Sequence, residues 1–282
     1  MARAHEALPP SRLKGRRKRA RVLLLCIAIV VFLAVCGAVI GASYLRFVTI
    51  RDVVVEGAET VEAEVIKEKG SAELSGRYFF VFPKANALLY PKKRVEADLR
   101  EAFPKLKNVE IDLPNLHTLR IAVEERKPAA LWCGVTRVVE QSDEKGEDPV
   151  CYFLDEWGFT FEVAPTYSGT PYVRWYGKLE TDAPGATQYL TEDVFRALRA
   201  LVEALSREGA TSVSVDVDGA GDVRCIVEGS TSILFSINQK GDEVLERFRL
   251  AKESEVLKGK DLTILEYLDL RFGGNRLYFK LK

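Results

Sequence analysis

At 282 residues the chain is long enough for about two domains, and its 47% hydrophobic and 29% charged content excludes a disordered tail or a low-complexity protein. The formal net charge of zero hides an asymmetry, because Met1–Arg21 carries eight Arg/Lys against Glu6 alone, a surplus of +7, and leaves −7 to Val22–Lys282. That acidic remainder has no recurrent basic face, so the basic block SRLKGRRKRAR reads as a topology and lipid-headgroup signal rather than as a set of nucleic-acid phosphate ligands.

The segment VLLLCIAIVVFLAVCGAVIGASYL, Val22–Leu45, has no charged residue, and fourteen of its residues are Leu, Ile, Val or Phe. As a helix it is about 36 Å long at about 1.5 Å per residue, which spans a hydrocarbon core of about 30 Å. A cleaved signal peptide has an apolar region of only about 7 to 15 residues, and Val35 in front of Cys36 does not suit a lipoprotein signal. The reading is an uncleaved anchor. The basic block on its N-terminal side keeps residues 1–21 in the cytoplasm and puts everything after Leu45 outside. Gly37 and Gly41 form a G-x-x-x-G pair, a spacing that allows close helix approach but arises easily by chance.

Of five cysteines, Cys26 and Cys36 lie in the span and read as apolar packing; Cys133, Cys151 and Cys225 lie outside. The odd outside count leaves one free thiol. Cys133 and Cys151 flank an expected hairpin and are candidates for a cross-link in an oxidising compartment, a pairing that the sequence alone leaves open.

Beyond the span, Ile50–Val55 is β-rich and closed by Gly57. Thr60 opens a helix with Val61, Val65 and Ile66 at helical spacing and Gly70 as its stop. Tyr78–Phe82 is an apolar knot, YFFVF, which Pro83 prevents from running on as a strand. A second helix is expected from about Ala85 to Phe103, interrupted or bent at Pro91, with Val95 and Leu99 on one face and Pro104 at its end. Two strands follow, one with Val109, Ile111 and Leu113 on a face, the other with Leu119, Ile121 and Val123; Pro114 and Asn115 supply the turn. The order is β-α-α-β-β.

That order, directly after one membrane helix, looks like a POTRA domain, the polypeptide-binding module of bacterial envelope proteins. More narrowly, DLPNLHTLRIAVEERKPAALW resembles the hairpin of the FtsQ/DivIB cell-division proteins, through Pro114, Thr118, Leu119, Glu125, Arg126 and Pro128.

From Pro128 the chain reads mainly as β structure. PAALWCGVTRVVE and PVCYFLDEWGFTFEV are strand-like runs on either side of the polar loop QSDEKGED; CYFLDEWGFTFE, with Gly158 in its turn, and PYVRWYG both resemble segments of the same family. Glu180–Gln188 is expected as a loop. TEDVFRALRALVEALSREG is a helix with Thr191 as N-cap, a stripe of Val194, Leu198, Leu201 and Leu205, and Gly209 as its stop. Strands are expected at Ser212–Val217, Val223–Val227 and Ile233–Ile237. A helix over about Asp242–Leu257 turns Leu245, Phe248 and Leu257 toward a core.

The last stretch, EYLDLRFGGNRLYFKLK, alternates on both sides of a Gly-Gly-Asn turn. Leu268, Leu270 and Phe272 share one face, and after the turn so do Leu277, Phe279 and Leu281, with Arg276, Tyr278, Lys280 and Lys282 opposite. It resembles the C-terminal hairpin of FtsQ/DivIB proteins. The resemblance implies that the final strand lies at a sheet edge and takes up a strand from a small bitopic FtsB-like partner. On that reading Phe272, Leu277, Tyr278 and Phe279 supply apolar contact, Gly274 and Asn275 shape the turn, and Arg276 and Lys280 attract an acidic partner.

Material for catalysis is poor. His5 lies in the tail and His117 at a turn, and G-x-S-x-G, H-E-x-x-H and C-x-x-C are absent from the sequence. S-x-x-K occurs at Ser11–Lys14 and Ser142–Lys145, without its companion motifs. The expectation is therefore an α+β, non-enzymatic protein without cofactor or metal. Its parts are a basic tail (1–21), a transmembrane helix (22–45), a POTRA domain (47–126) and a mainly antiparallel β domain with flanking helices (127–282). By resemblance it is an inner-membrane divisome scaffold at the septum, with FtsB-like and FtsL-like partners for the β domain and other divisome components at the POTRA domain. A membrane-tethered POTRA-type chaperone or secretion component is the alternative.

Overall fold

The computed structural model describes residues 12–136, 150–181, 184–272 and 277–282. His5, Ser11, the loop QSDEKGED with Ser142–Lys145, and Gly274, Asn275 and Arg276 lie outside the described residues. Among the described residues the fold is mixed, with five α-helices and a large, mostly antiparallel sheet. Its contacts divide the chain into two compact units, residues 1–101 with 108–124, and residues 102–107 with 125–282.

The first unit opens with α1, Arg12–Ser43, within which Arg21–Ser43 is long and apolar enough to cross a membrane. Then come β1 (Asp52–Glu56), α2 (Ala63–Leu74), the two-residue strands β2 (Arg77–Tyr78) and β3 (Phe82–Pro83), α3 (Lys92–Ala102), β4 (Leu106–Asn115) and β5 (Thr118–Glu125). The strand order is β1-β5-β4, with β1 parallel to β5. Parallel neighbours need a long connection, and α2 and α3 lie within it. The alternation of Val109, Ile111, Leu119 and Ile121 expected from the sequence is observed, since all four are buried, as are Ile66, Val95 and Leu99 on the helices.

Three local expectations fail for identifiable reasons. Gly70 does not stop α2, which runs on to Leu74. A Cβ at Gly70 would stand 2.8 Å from Ile121 Cδ1 and 3.9 Å from Val95 Cγ1, so this glycine lets the helix lie close against β5 and α3. The second helix begins only at Lys92, because residues 85–87 bond instead to the segment that follows α1: Ile50 N–H donates to Ala85 O (2.8 Å) and Ala87 N–H to Val48 O (2.7 Å). Pro91, without an N–H, then opens the helix. The YFFVF knot becomes a hairpin, β2 with β3.

The second unit runs β6 (Ala130–Trp132), β7 (Tyr152–Leu154), β8 (Phe159–Val163), β9 (Arg174–Tyr176), β10 (Thr187–Gln188), α4 (Glu192–Arg207), β11 (Ser212–Val217), β12 (Asp222–Val227), β13 (Thr231–Ser236), α5 (Gly241–Glu253), β14 (Leu265–Asp269) and β15 (Tyr278–Leu281). They form one ten-stranded sheet in the order β10-β8-β7-β6-β9-β11-β12-β13-β14-β15. The pairs β6–β9, β9–β11 and β13–β14 are parallel and the remainder antiparallel. The expected loop over Glu180–Gln188 thus ends in the short strand β10.

α4 buries Phe195, Leu198, Leu201, Val202 and Leu205, so the stripe is wider than the four residues expected, and Val194 sits at its margin. α5 ends at Glu253, and Leu257 reaches the core from beyond it. At the start of the unit, Arg126 pairs with the buried Asp155, donates through Nε to Pro104 O (3.1 Å), and lies 4.0 Å over the Phe159 ring. Removing one partner of such a buried pair costs about 3–5 kcal/mol. Cys133 and Cys151 are joined in a disulfide, which settles the pairing left open above. Cys225 is a free, fully buried thiol whose ionisation burial suppresses.

Two expectations follow. Gly57, at φ +84°, has Val123 O 2.2 Å from where a Cβ would stand, so Gly57→Ala should lower stability by about 2 kcal/mol or more through combined backbone strain and overpacking, measured by urea unfolding. The disulfide closes an 18-residue separation, so the Cys133→Ser/Cys151→Ser chain should lose about 3 kcal/mol, and Cys225 should react with thiol reagents only after unfolding.

Candidate partner-binding edge of the large sheet

β14 and β15 form the end of the ten-stranded sheet. β14 is hydrogen-bonded to β13 on one side, parallel, and to β15 on the other, antiparallel. Among the described residues β15 has one neighbouring strand. Lys282 N–H donates to Ile264 O at 3.0 Å. Backbone groups alternate along a strand, so Tyr278 and Lys280 turn theirs toward β14, while Phe279 and Leu281 turn theirs to the open side. The edge offers two N–H and two C=O groups in a row.

The side chains divide as the alternation requires, with exceptions at the ends. Leu277 and Phe279 are partly buried against the main core, beside Leu268 and Leu270 of the preceding segment. Phe272, expected on that core face, lies past the end of β14 and is 53% exposed. It meets Tyr278, 44% exposed, edge to face with ring centroids 5.2 Å apart. An exposed aromatic pair therefore stands at the head of the edge strand. Leu281 is also half exposed, beyond a register shift between Leu265 and Tyr267, and such a bulge re-aims the side chains around it.

Lys280 has an acidic partner within the chain. Its Nζ is 2.6 Å from the carboxylate of Glu266 on β14, and that hydrogen bond with its charge raises the ammonium pKa. Both groups are exposed, so the pair is readily exchanged for another.

The end of β14 is held by residues that the sequence reading did not single out. Arg271 forms a salt bridge to Asp269 (2.6 Å) and pairs with Asp222 on β12. Arg247, on α5, donates to the carbonyls of Leu270 (3.1 Å) and Phe272 (2.6 Å), and Gln239 Nε2 donates to Leu270 O (3.0 Å). These bonds fix the strand exit that launches the hairpin. The Glu266–Lys280 pair was recoverable from strand register; the reach of Arg247 across the crossover has no sequence signal. Among the described residues no group of three or more His, Cys, Asp or Glu is placed to hold a metal ion.

No family model matches the chain, and no curated protein matches it.

Burial pushes the Asp269 carboxyl up, but hydrogen bonds from the Arg271 side chain and backbone outweigh it and hold the pKa below the ordinary 3.8. A depressed folded pKa gives stability that is present above 3.8 and is lost as pH falls through the folded value. Asp269→Asn should therefore unfold at lower urea than the parent near neutral pH, and the gap should narrow as pH falls below 3.8; a gap independent of pH rejects the ion-pair account.

Proposed function

We propose that this is a non-enzymatic, single-pass membrane scaffold of the FtsQ/DivIB type, in which β15 takes up a strand from a small bitopic FtsB-like protein, with an FtsL-like protein beside it, to regulate septal peptidoglycan synthesis. The observation that carries the reading is the open side of β15. An edge strand is an aggregation hazard unless protected, and it is also the means by which an extended segment joins a sheet. The exposed Phe272–Tyr278 pair adjoins that edge, as side-chain contacts of a bound strand require. Helix α1 supports membrane attachment. In the succession β1-α2-β2-β3-α3-β4-β5 that follows it, the β-α-α-β-β order of the longer elements supports a POTRA-type docking module for other divisome components.

The two directions in which β15 turns its backbone groups give a test that separates folding from binding. Leu281→Pro removes an N–H from the open side, whereas Lys280→Pro removes one from the β14 side. The expectation is that Leu281→Pro keeps the parent's melting temperature and loses about fivefold in affinity for an FtsB-like partner, since one hydrogen bond at about 1 kcal/mol is forfeited. Lys280→Pro should destabilise the hairpin itself. Deleting Arg276–Lys282 should leave a folded, membrane-bound chain without partner binding; undiminished binding by that truncation rejects the proposal.

A further inference from the structure

The tip of the β2–β3 hairpin is built against the ordinary preferences of a turn. Tyr78 pairs with Phe82, and the connection passes through Phe79 and Phe80 at φ +48° and +62°. Consecutive left-handed residues in a hairpin turn favour Asn and Gly, which adopt that conformation readily. Here both are phenylalanines, 88% and 94% exposed. A strained backbone that displays two large apolar rings to solvent has no stabilising role within the fold, and such strain gathers where a surface has a task.

The hairpin is attached to the end of the membrane helix. The Tyr44 hydroxyl, just past α1, donates to Val81 O, next to the tip. The Arg77 guanidinium lies 5.7 Å over the Tyr44 ring, and Asn86 Nδ2 donates to Ser43 O at 2.9 Å. The other exposed apolar side chains nearby cluster at the same end. Phe47 and Leu88 are 75% and 74% exposed, and each adjoins a residue of the bond from Ala87 N–H to Val48 O. Away from that end, Val65 at the start of α2 is 43% exposed. Phe and Leu side chains with neighbouring Lys or Arg are the composition of surfaces that lie at the headgroup–acyl boundary of a membrane.

We propose that Phe79 and Phe80 enter the bilayer's interfacial layer on the side where α1 emerges, making the hairpin a second membrane contact for the first unit. Arg77, in the hairpin, and Arg46, three residues past the end of α1, are both exposed and then lie at headgroup level. This contact fixes the tilt and rotation of the unit against the bilayer, which one helix alone leaves free. It rests on α1 crossing the bilayer and is independent of what binds β15.

The test uses the full chain in liposomes whose lipids carry bromine near the headgroup. Phe80→Trp and Val65→Trp are compared, each after subtracting the quenching of the native tryptophans in the parent. Val65 lies about 15 Å along α2 from the hairpin. The expected result is that the tryptophan at position 80 is quenched at least about twofold more than that at 65, as an indole at headgroup level should be. Equal quenching overturns the proposal. Shielding of position 80 from iodide without bromolipid quenching also overturns it, because a protein surface then covers the tip. The Phe79→Ser/Phe80→Ser chain should still float with liposomes, reporting α1 by itself; failure of the parent chain to float removes the anchor and overturns the contact with it.

Discussion

The parallel pairing of β14 with β13 is the constraint on which the C-terminal half depends. Two parallel neighbours cannot be joined by a tight turn and need a crossover of a dozen or more residues, which α5 and its flanking turns provide. α5 stays in place because Val244, Phe248 and Ala251 are buried in the same core as Leu265 and Leu268. With β13 on one side, β14 has one side left. A strand following after a short turn must take that side, and its own far side then faces outward. The open edge is thus a consequence of the crossover, and Arg247, which reaches from α5 to the carbonyls of Leu270 and Phe272, couples the crossover to the position of the hairpin.

The two edges of the large sheet are managed differently. β10 has only two residues, and its Thr187 both receives a hydrogen bond from and donates one to the Thr160 hydroxyl on β8. Short edges of this kind offer little template for pairing. β15 has four residues, and Lys280 within it and Lys282 just after it are the usual protection against unwanted strands. Glu266 offsets the charge of Lys280, however, so that protection is weaker than the sequence suggests. In the proposed role, partners would be distinguished at this edge by the aromatic pair and the half-exposed Leu281, side chains that reward an apolar residue at alternate positions of an incoming strand.

The parts of the fold that follow from period and length were legible in the sequence. The uncharged stretch to Leu45, the alternation through Val109 and Ile121 and the stripe of α4 each follow from one repeating physical requirement. Legibility failed where a residue's conformation answers to something distant in sequence. Gly70 reads locally as a stop but is required by Ile121, about fifty positions away. Residues 85–87 read as helix, but their hydrogen bonds go to the segment that follows α1. The hairpin at Phe79–Phe80 was unreadable because no turn rule places two phenylalanines there. At the edge itself, alternation placed Leu277 and Phe279 toward the core but missed Phe272, which lies beyond the strand end, and it could not assign Lys280 to Glu266 without the register.

In the proposed role, anchoring and edge capture reinforce each other. Strand addition to β15 gains a few backbone hydrogen bonds at about 1 kcal/mol net each, which is too little to hold a short segment from dilute solution at high occupancy. A partner confined to the same bilayer meets the edge at an effective concentration of order mM, where so small a gain is sufficient. The same confinement narrows the heights above the membrane at which a bitopic partner can present its strand. Orientation of the anchored chain therefore matters as much as the chemistry of the edge: a chain that samples many orientations spreads the edge over many positions and lowers that effective concentration. Weak edge pairing is in this way adequate, and it remains reversible, as regulation of an assembly requires.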